Sequence, residues 1–204
     1  MVRIIRPIEE PMPRKLDMYT HIILTGSADA VDDVSAMTER LVPFVQKVVD
    51  KQIPLLGVCY GHQIIAAAMN GGTDNIQHFV EPEVGWTKIR RTGQSRLLNE
   101  LPKRFWSSEN HKSSVVRAPK DFRVTASSRR CRIQAMEHSS LPIFSIQFHP
   151  EHTPYQTKRI LAYWLAKRFP KSWISDGSDD TRHYSAKTLD TILKNFYAVS
   201  RLSD

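Results

Sequence analysis

The stretch from Pro54 to Gly72 limits the possible folds more than any other part of the chain. It contains an apolar run, Leu55–Val58, then a turn at Cys59-Tyr60-Gly61, and then a helical pattern that ends at Asn70-Gly71-Gly72. A short apolar run bounded by a proline and a turn predicts a buried strand, and glycine after a helical pattern predicts the helix end. The sequence therefore predicts a strand that turns sharply into a helix, from His62 to about Met69, with a cysteine at the turn.

A similar strand and helix precede this stretch. His21-Ile22-Ile23-Leu24 is an apolar run that ends at Thr25-Gly26-Ser27, and apolar residues recur at helical spacing from Val34 to Asp50. Asp32 or Asp33 is able to cap the start of that helix. The order strand, helix, strand, turn, helix is typical of a parallel α/β sheet with right-handed crossovers.

The second half of the chain has a more β-like pattern. Strands are predicted at Val2–Ile8 near the start and, in the second half, at Glu83–Arg90, Phe105–Ser108, Ser114–Ala118, Phe122–Ser127, Ile133–His138 and Ile143–Phe148. Helical spacing predicts two further helices, at Tyr155–Phe169 and Ser185–Leu202. We expect residues 1–170 to form one α/β domain and residues 171–204 to form a polar linker and a helical extension.

Composition argues against several classes of protein. No stretch approaches the roughly 20 consecutive apolar residues of a membrane span, and the start lacks the apolar region of a secretory signal. Two cysteines make a disulfide framework a poor explanation, so a cytoplasmic protein with reduced thiols is expected. The net charge of +8 suits an anionic partner, but the basic residues are scattered and match no nucleic-acid motif, which favours a solvated basic surface.

Cys59 is the first candidate for chemistry. A thiol on a tight strand-to-helix turn is pushed out of the sheet, and Gly61 removes a β-carbon where a substrate or a neighbouring strand must approach. At a helix N-terminus, the dipole and the backbone N–H groups favour the thiolate over the thiol. Taken alone, an isolated cysteine at the end of an apolar strand is more often a buried core residue.

His149-Pro150-Glu151 supplies the second half of a reactive arrangement. His149 and Glu151 are two apart in an extended segment, so their side chains can project to one side, and Pro150 stiffens the pair. A base that is held by a third group is the arrangement that activates a thiol. By itself, His-Pro-Glu is more often a polar turn, and its value comes from its combination with Cys59.

Gly57-Val58-Cys59-Tyr60-Gly61-His62-Gln63 and Gln147-Phe148-His149-Pro150-Glu151 together resemble the class I glutamine amidotransferase family. The resemblance extends from about Val2 to Phe169 and includes Ile22–Ser27 and Glu83-Val84-Gly85-Trp86. In character, the chain is closest to stand-alone γ-glutamyl-peptidase-like members and to glutaminase-like members from GMP synthases.

The resemblance implies a flavodoxin-like three-layer sandwich with a mostly parallel sheet. It also implies that Cys59 attacks the side-chain amide of glutamine or of a γ-glutamyl compound, while Glu151 orients His149 and His149 shuttles the proton that releases ammonia. Water then hydrolyses the γ-glutamyl thioester.

The family also suggests further site residues. Backbone N–H groups of Gly26 or Ser27 and of Tyr60 would hold the oxyanion that develops during the attack. Gln63 would help to bind the amino-acid end of the substrate. His111, in Asn110-His111-Lys112, would either reach the substrate or merely cap a loop.

Two departures from the family pattern stand out. Where many members have consecutive glycines, this chain has Thr25-Gly26-Ser27-Ala28-Asp29. The family normally has a strand and a helix before the segment equivalent to Val2–Ile8, so the N-terminal strand–helix unit is expected to be missing. In a strand order of 2-1-3-4-5 that loss should leave backbone groups of Val2–Ile8 and Ile22–Leu24 unpaired.

No cofactor is expected, because the chain has neither a phosphate-binding glycine-rich loop nor a dinucleotide turn. Cys131 has no histidine or second cysteine at metal-ligand spacing, so we expect it to be inert and expect no metal site. An enzyme that releases ammonia, alone or for a synthetase subunit that binds the acceptor, is the leading hypothesis. The alternative is a catalytically impaired member that acts as a binding or regulatory subunit.

Overall fold

The computed structural model describes residues 1–31, 35–175 and 181–201. Its strands are β1 (Ile22–Leu24), β2 (Leu55–Val58), β3 (Ile76–Arg91), β4 (Arg104–Val115), β5 (Phe122–Ser127), β6 (Ala135–His138) and β7 (Ile143–Ile146). Its α-helices are α1 (Ala36–Asp50), α2 (Tyr60–Asn70), α3 (Pro154–Ala166) and α4 (Ala186–Tyr197). Within the described residues, none of the helices has both the length and the apolar character needed to cross a membrane.

All seven strands form one sheet in the order β1-β2-β7-β6-β5-β3-β4. The pairs β1–β2 and β2–β7 are parallel, whereas β7–β6, β6–β5, β5–β3 and β3–β4 are antiparallel. The α/β class is confirmed, but the sheet is mixed and not mostly parallel as expected. The reason is that a parallel connection needs a crossover of a dozen or more residues, usually a helix, and β3 to β7 follow one another without any helix.

The parallel part of the sheet is buried on both faces. Adjacent residues of β2 point to opposite sides, so Leu55 contributes to the core formed with α1 and α2, while Leu56 contributes to the core that α4 covers. Burial on both faces explains why β2 is a continuous apolar run without alternation. It also fixes the carboxyl end of β2, where Cys59 follows.

The predicted strand Val2–Ile8 is wrong. The segment forms no strand, and Val2, Ile4 and Ile8 are all exposed. β-type residues need a sheet edge and a face to bury, and this segment packs on neither. Ile22–Leu24 does form a strand, and within the described residues β2 is its one partner. Direct pairing between Val2–Ile8 and Ile22–Leu24 is therefore absent.

The largest boundary error concerns β4. Phe105–Ser108 and the segment predicted at Ser114–Ala118 belong to one strand that ends at Val115. The polar residues between them interrupted the apolar pattern, but pairing with β3 carries the strand through that region. β3 also begins earlier than predicted, at Ile76, because the same pairing extends to the far end of β4.

The predicted helices are present with shifted ends. α1 begins at Ala36, and the predicted start at Val34 with its capping residues Asp32 and Asp33 lies outside the described residues. α2 begins at Tyr60, directly after the cysteine. α4 ends at Tyr197, and the predicted end at Leu202 also lies outside the described residues.

Candidate active site

Cys59 occupies a strained turn between β2 and α2. Its φ of 52° and ψ of −103° lie in the region of positive φ that non-glycine residues rarely adopt. Such a conformation costs on the order of 1–3 kcal/mol and persists only where its surroundings enforce it. Here the Cys59 N–H donates to the Ile146 carbonyl oxygen of β7 at 2.8 Å, which ties the turn to the neighbouring strand.

Gly57 and Gly61 allow this turn to form. A β-carbon on Gly61 would lie against the Leu24 carbonyl oxygen and 2.8 Å from the Leu24 carbonyl carbon. A β-carbon on Gly57 would lie 2.6 Å from the Gly61 carbonyl carbon. Both are backbone contacts that side-chain movement cannot relieve, so glycine is required where α2 begins beside β1 and β2.

His149 and Glu151 form the pair that their spacing predicts. The Nδ1 atom of His149 lies 2.6 Å from Oε1 of Glu151. His149 is buried, and its backbone N–H donates to the Ser108 carbonyl oxygen of β4 at 2.8 Å. The carboxylate of Glu151 therefore orients the ring, and β4 fixes the backbone that carries it.

The electrostatics of this pair favour a charged imidazole. Burial opposes protonation of His149, but Cys59 and Glu151 outweigh it and raise the pKa of His149 well above its usual range. Burial also opposes ionisation of Glu151, yet the hydrogen bond from His149 lowers the pKa of that carboxyl. The arrangement therefore suits a charged imidazole paired with the Glu151 carboxylate.

Gly26 lies directly over the cysteine and the histidine. A β-carbon placed on Gly26 would lie 2.9 Å from Cε1 of His149 and 3.6 Å from Cβ of Cys59. The loop after β1, the turn after β2 and the segment after β7 thus meet at the carboxyl ends of three neighbouring parallel strands. This is the edge at which open α/β sheets carry their ligands.

The other residues predicted for the oxyanion hole lie in the same region. Ser27 follows Gly26, and its hydroxyl accepts from the Asp29 N–H at 3.2 Å, which shapes the loop after β1. Tyr60 is the first residue of α2, next to Cys59. Their role in holding an oxyanion stays a prediction.

The two residues predicted to bind substrate have partners inside the protein. The side-chain amide of Gln63 donates to the Ser113 carbonyl oxygen at 2.9 Å and to Oε1 of Gln147 at 3.2 Å. His111 lies within β4 and not in a loop, and its ring faces Glu83 and Glu109. The substrate-binding roles of Gln63 and His111 stay predictions.

Sequence reasoning missed three residues around the site. His152 stacks on His149 with ring centroids 4.2 Å apart, and burial, followed by the charge of His149, lowers the pKa of His152 to about 4. Its Nδ1 is 3.3 Å from the Ser108 hydroxyl. Asn110 brings its carbonyl oxygen to 4.0 Å from Sγ of Cys59. His152 adjoins Glu151 in sequence, whereas Ser108 and Asn110 reach the site only through the pairing of β4.

Two groups of side chains in the described residues have the types and spacing to hold a metal ion. One is His149, Glu151 and His152, within the site itself. The other is Glu83, His111 and Cys131, which is fully buried and lies beside the site in the antiparallel part of the sheet.

Solved structures share this architecture. A glutamine amidotransferase from Thermotoga maritima matches with a TM-score of 0.74 at 18% identity, covering 94% of this chain and 82% of that one. A glutamine amidotransferase from Methylobacillus flagellatus matches with a TM-score of 0.74 at 18% identity, covering 97% and 84%. At this identity the likeness establishes the fold, which is the flavodoxin-like arrangement of these enzymes.

The chain is also similar in sequence to subunits of glutamine-hydrolysing GMP synthases. The chain is 32% identical over 143 residues to a subunit of the glutamine-hydrolysing GMP synthase from Thermoplasma acidophilum, covering 69% of this chain and 68% of the relative. It is also 32% identical over 146 residues to the corresponding protein from Saccharolobus solfataricus, covering 72% of each chain.

The family model described as glutamine amidotransferase class-I matches residues 1–167, a range that includes Cys59, His149 and Glu151. The predicted resemblance is thereby confirmed over most of the chain. The chain belongs to the class I glutamine amidotransferase family, and this membership supports glutamine amide hydrolysis in general.

Proposed function

We propose that this protein hydrolyses the side-chain amide of glutamine through a thioester on Cys59, with His149 as the proton carrier and Glu151 as the group that orients it. One observation carries the proposal. Cys59 lies on a strained turn beside the His149 imidazole, and Nδ1 of His149 is hydrogen-bonded to Oε1 of Glu151 at 2.6 Å. A nucleophile, a base and an orienting group are the requirements for covalent acyl transfer.

The first half-reaction makes the thioester. The Cys59 sulfur attacks the amide carbon, the carbonyl oxygen takes up negative charge, and the carbon–nitrogen bond then breaks as His149 gives its proton to the departing ammonia. In the second half-reaction, His149 takes a proton from water as that water attacks the thioester. The carbon–sulfur bond then breaks, which releases glutamate and restores the free cysteine.

The oxyanion of each half-reaction needs donors close to the Cys59 sulfur. We assign this role to the backbone N–H groups of Gly26 or Ser27 and of Tyr60, because Gly26 lies over Cys59 and Tyr60 follows it at the start of α2. The Cys59 N–H already donates to Ile146, so the next residue along α2 is the better candidate. A well-placed donor of this kind contributes about 3 kcal/mol to the transition state.

We propose that the ammonia is transferred to a second protein. By their names, the relatives are one component of glutamine-hydrolysing GMP synthases. We extend this to propose that a synthetase subunit takes up the ammonia that this chain releases. Hydrolysis of γ-glutamyl amides by the same thioester chemistry is the alternative within this proposal.

The decisive experiment incubates the purified protein with glutamine and, separately, with γ-glutamyl peptides, and measures ammonia, free amine and glutamate. Release of ammonia and glutamate in equal amounts from glutamine is expected. A diazoketone or chloroketone analogue of glutamine should label Cys59 stoichiometrically, and excess glutamine should protect it. Absence of turnover with every substrate, with and without the synthetase component of a GMP synthase, would favour the regulatory alternative.

The partner is tested separately. Adding the synthetase component of a GMP synthase, with its acceptor nucleotide and ATP, should yield aminated product from glutamine only when this chain is present. Product formation from added ammonium salt should not require this chain. Glutamine hydrolysis without any transfer to the acceptor would leave the protein as a stand-alone glutaminase.

A further inference from the structure

A second cluster of reactive side chains lies within the antiparallel part of the sheet. It contains Glu83 of β3, Glu109 and His111 of β4, and Cys131 from the loop between β5 and β6. Their exposed fractions are 1%, 0%, 3% and 1%, so all four are removed from solvent. Buried ionisable groups need either a partner of opposite charge or a proton, and none of these four belongs to the proposed triad of Cys59, His149 and Glu151.

His111 is oriented as a ligand would be. Its Nδ1 lies 3.1 Å from the Ser113 carbonyl oxygen, an acceptor, so Nδ1 carries a proton. In the neutral ring Nε2 then holds the lone pair, and this atom is 3.4 Å from Oε2 of Glu83 and 3.6 Å from Oε2 of Glu109. An imidazole that donates one N–H to a backbone carbonyl and points its other nitrogen inward is the common arrangement of metal-bound histidine.

Glu109 supplies an independent observation. Neither of its carboxylate oxygens accepts a hydrogen bond of 3.5 Å or less in the described part of the chain, although the residue is completely buried and Gln134 is close enough to lower its pKa. Glu83, by contrast, accepts from the side-chain amide of Gln134 at 2.8 Å and from the Ser128 hydroxyl at 3.0 Å. A buried carboxylate that faces an imidazole lone pair is stabilised by a positive charge between them.

We propose that Glu83, Glu109, His111 and Cys131 form a binding site for a divalent transition-metal ion of the zinc class. Ligand atoms of a tetrahedral zinc ion, with bonds of about 2.0–2.1 Å to nitrogen and oxygen, lie roughly 3.3–3.4 Å apart. The measured separations of 3.4 and 3.6 Å fit that geometry. The ligand atoms of Glu83, His111 and Cys131 all lie within 4.8 Å of one another. Thiolate and imidazole ligands select zinc-class ions over magnesium and calcium.

The thiol chemistry agrees with this geometry. Burial, followed by the charges of Glu83 and Glu109, raises the pKa of the Cys131 thiol well above its usual range. A divalent ion at this position would compensate the two carboxylates, and its binding to the folded protein would stabilise that state.

The active site contains a competing set of ligands. His149, Glu151 and His152 also have ligand atoms within reach of a single ion. The test must therefore identify which cysteine binds the metal, because Cys59 adjoins that second set and Cys131 belongs to the proposed site.

Cobalt(II) provides the required readout, because a cobalt–thiolate bond gives a charge-transfer absorption in the near ultraviolet. The wild-type protein, purified after removal of metals under chelating conditions, should bind one equivalent of cobalt with this absorption, and zinc should displace it. Cys59→Ser should retain the band, and Cys131→Ser should lose it. A wild-type protein that binds no cobalt, or a band that is lost with Cys59→Ser and kept with Cys131→Ser, would overturn the proposal.

Glu109→Gln keeps the test decisive if Cys131→Ser fails to fold, which circular dichroism would reveal. The amide is similar in size and removes the negative charge, so cobalt affinity should fall by at least about 10-fold. An affinity equal to that of the wild type would exclude Glu109 and contradict the four-ligand site. None of these measurements depends on glutamine hydrolysis, so the metal proposal and the proposed function can fail separately.

Discussion

The molecule contains two clusters that share one set of chemical groups. Cys59, His149 and Glu151 meet at the ends of the parallel strands, where the Glu151 side chain is 42% exposed. Cys131, His111 and two glutamates meet inside the antiparallel strands, where solvent is excluded. The same residue types are therefore suited to turnover at a strand end and to holding a proton or an ion inside the sheet.

Electrostatics makes the same distinction. At the strand end, neighbouring charges outweigh burial and raise the pKa of His149, so the charged form of the imidazole is favoured. Inside the sheet, burial and a neighbouring glutamate raise the pKa of Glu109, so the neutral form is favoured. The neighbours decide which effect is larger, because His149 is paired with the partly exposed Glu151 carboxylate, whereas Glu109 lies near a second carboxylate inside the sheet.

The strongest test of the comparison replaces each of the two cysteines separately and compares the rates of turnover. Cys59→Ala should lower glutamine hydrolysis by about 10⁴-fold or more, because the covalent route is lost. Cys131→Ala should leave turnover within a few-fold wherever the variant is folded, since Cys131 does not contact the reacting atoms. Ammonia release measures both, and equal losses in two folded variants would contradict the assignment.

Within the strand-end cluster, His149→Ala should cost more than Glu151→Gln. The imidazole moves the proton, whereas the carboxylate orients it, and in comparable triads the carboxylate's loss is roughly 100-fold smaller. Steady-state rates with glutamine provide the comparison. The reverse order would mean that Glu151 has a role beyond orientation.

The same variant predicts a shift in pH dependence. The carboxylate of Glu151 helps to raise the pKa of His149, so Glu151→Gln should lower that pKa. Release of ammonia needs protonated His149, and the alkaline limit of turnover should therefore move to lower pH. A profile with an unchanged alkaline limit would assign that limit to another group.

The turn that presents Cys59 can be tested through stability. Gly61→Ala should lower the free energy of unfolding by about 1–3 kcal/mol or more, because its β-carbon meets the backbone of Leu24. Gly93→Ala is the matched control, since a β-carbon there has no neighbour within 4 Å in the described structure. Equal effects of the two substitutions in denaturant unfolding would show that the close approach is not required.

The buried cluster predicts an effect of defined sign on the pH dependence of stability. The pKa of Glu109 is raised above its ordinary value of 4.5, so above that pH the unfolded chain loses a proton that the folded protein keeps. The metal-free wild type should then lose stability as pH rises, by up to about 1.4 kcal/mol per pH unit. Glu109→Gln cannot titrate, so its stability relative to the wild type should rise as the pH increases above 4.5.

Glu100→Gln provides the control for that experiment. It removes the same formal charge from an exposed carboxylate that pairs with Lys194 at 3.0 Å, and such pairs contribute at most about 1 kcal/mol. If both variants gave the same change with pH in the presence of a chelator, loss of charge alone would explain it. The burial of Glu109 would then have no special consequence.

Much of the strand-end site could be read from the sequence because its parts are local. Cys59 lies between two glycines after an apolar run, and His149 and Glu151 are separated by a single proline. The family and the α/β class follow from those motifs. The buried cluster could not be read in this way, because Glu83 and His111 are brought together by strand register, and Cys131 by a loop.

The failed predictions have a related cause. Val2–Ile8 has strand-forming residues, but nothing in the local pattern reveals whether a sheet edge is within reach. Conversely, Glu109 and His111 interrupt the apolar pattern of β4, although β3 pairs with the strand along its length. Local propensity therefore failed where long-range pairing decides the structure.

The family match ends at residue 167, but the core does not. Ile192 and Phe196 of α4 are fully buried with Leu56 and Phe144, next to the strands that carry the reactive turn. The side-chain amide of Asn195 also caps two carbonyl groups of the 97–99 segment. A fragment that ended at residue 167 would lack α4 and would expose apolar side chains of β2 and β7 to solvent, so we expect it to be less stable than the whole chain.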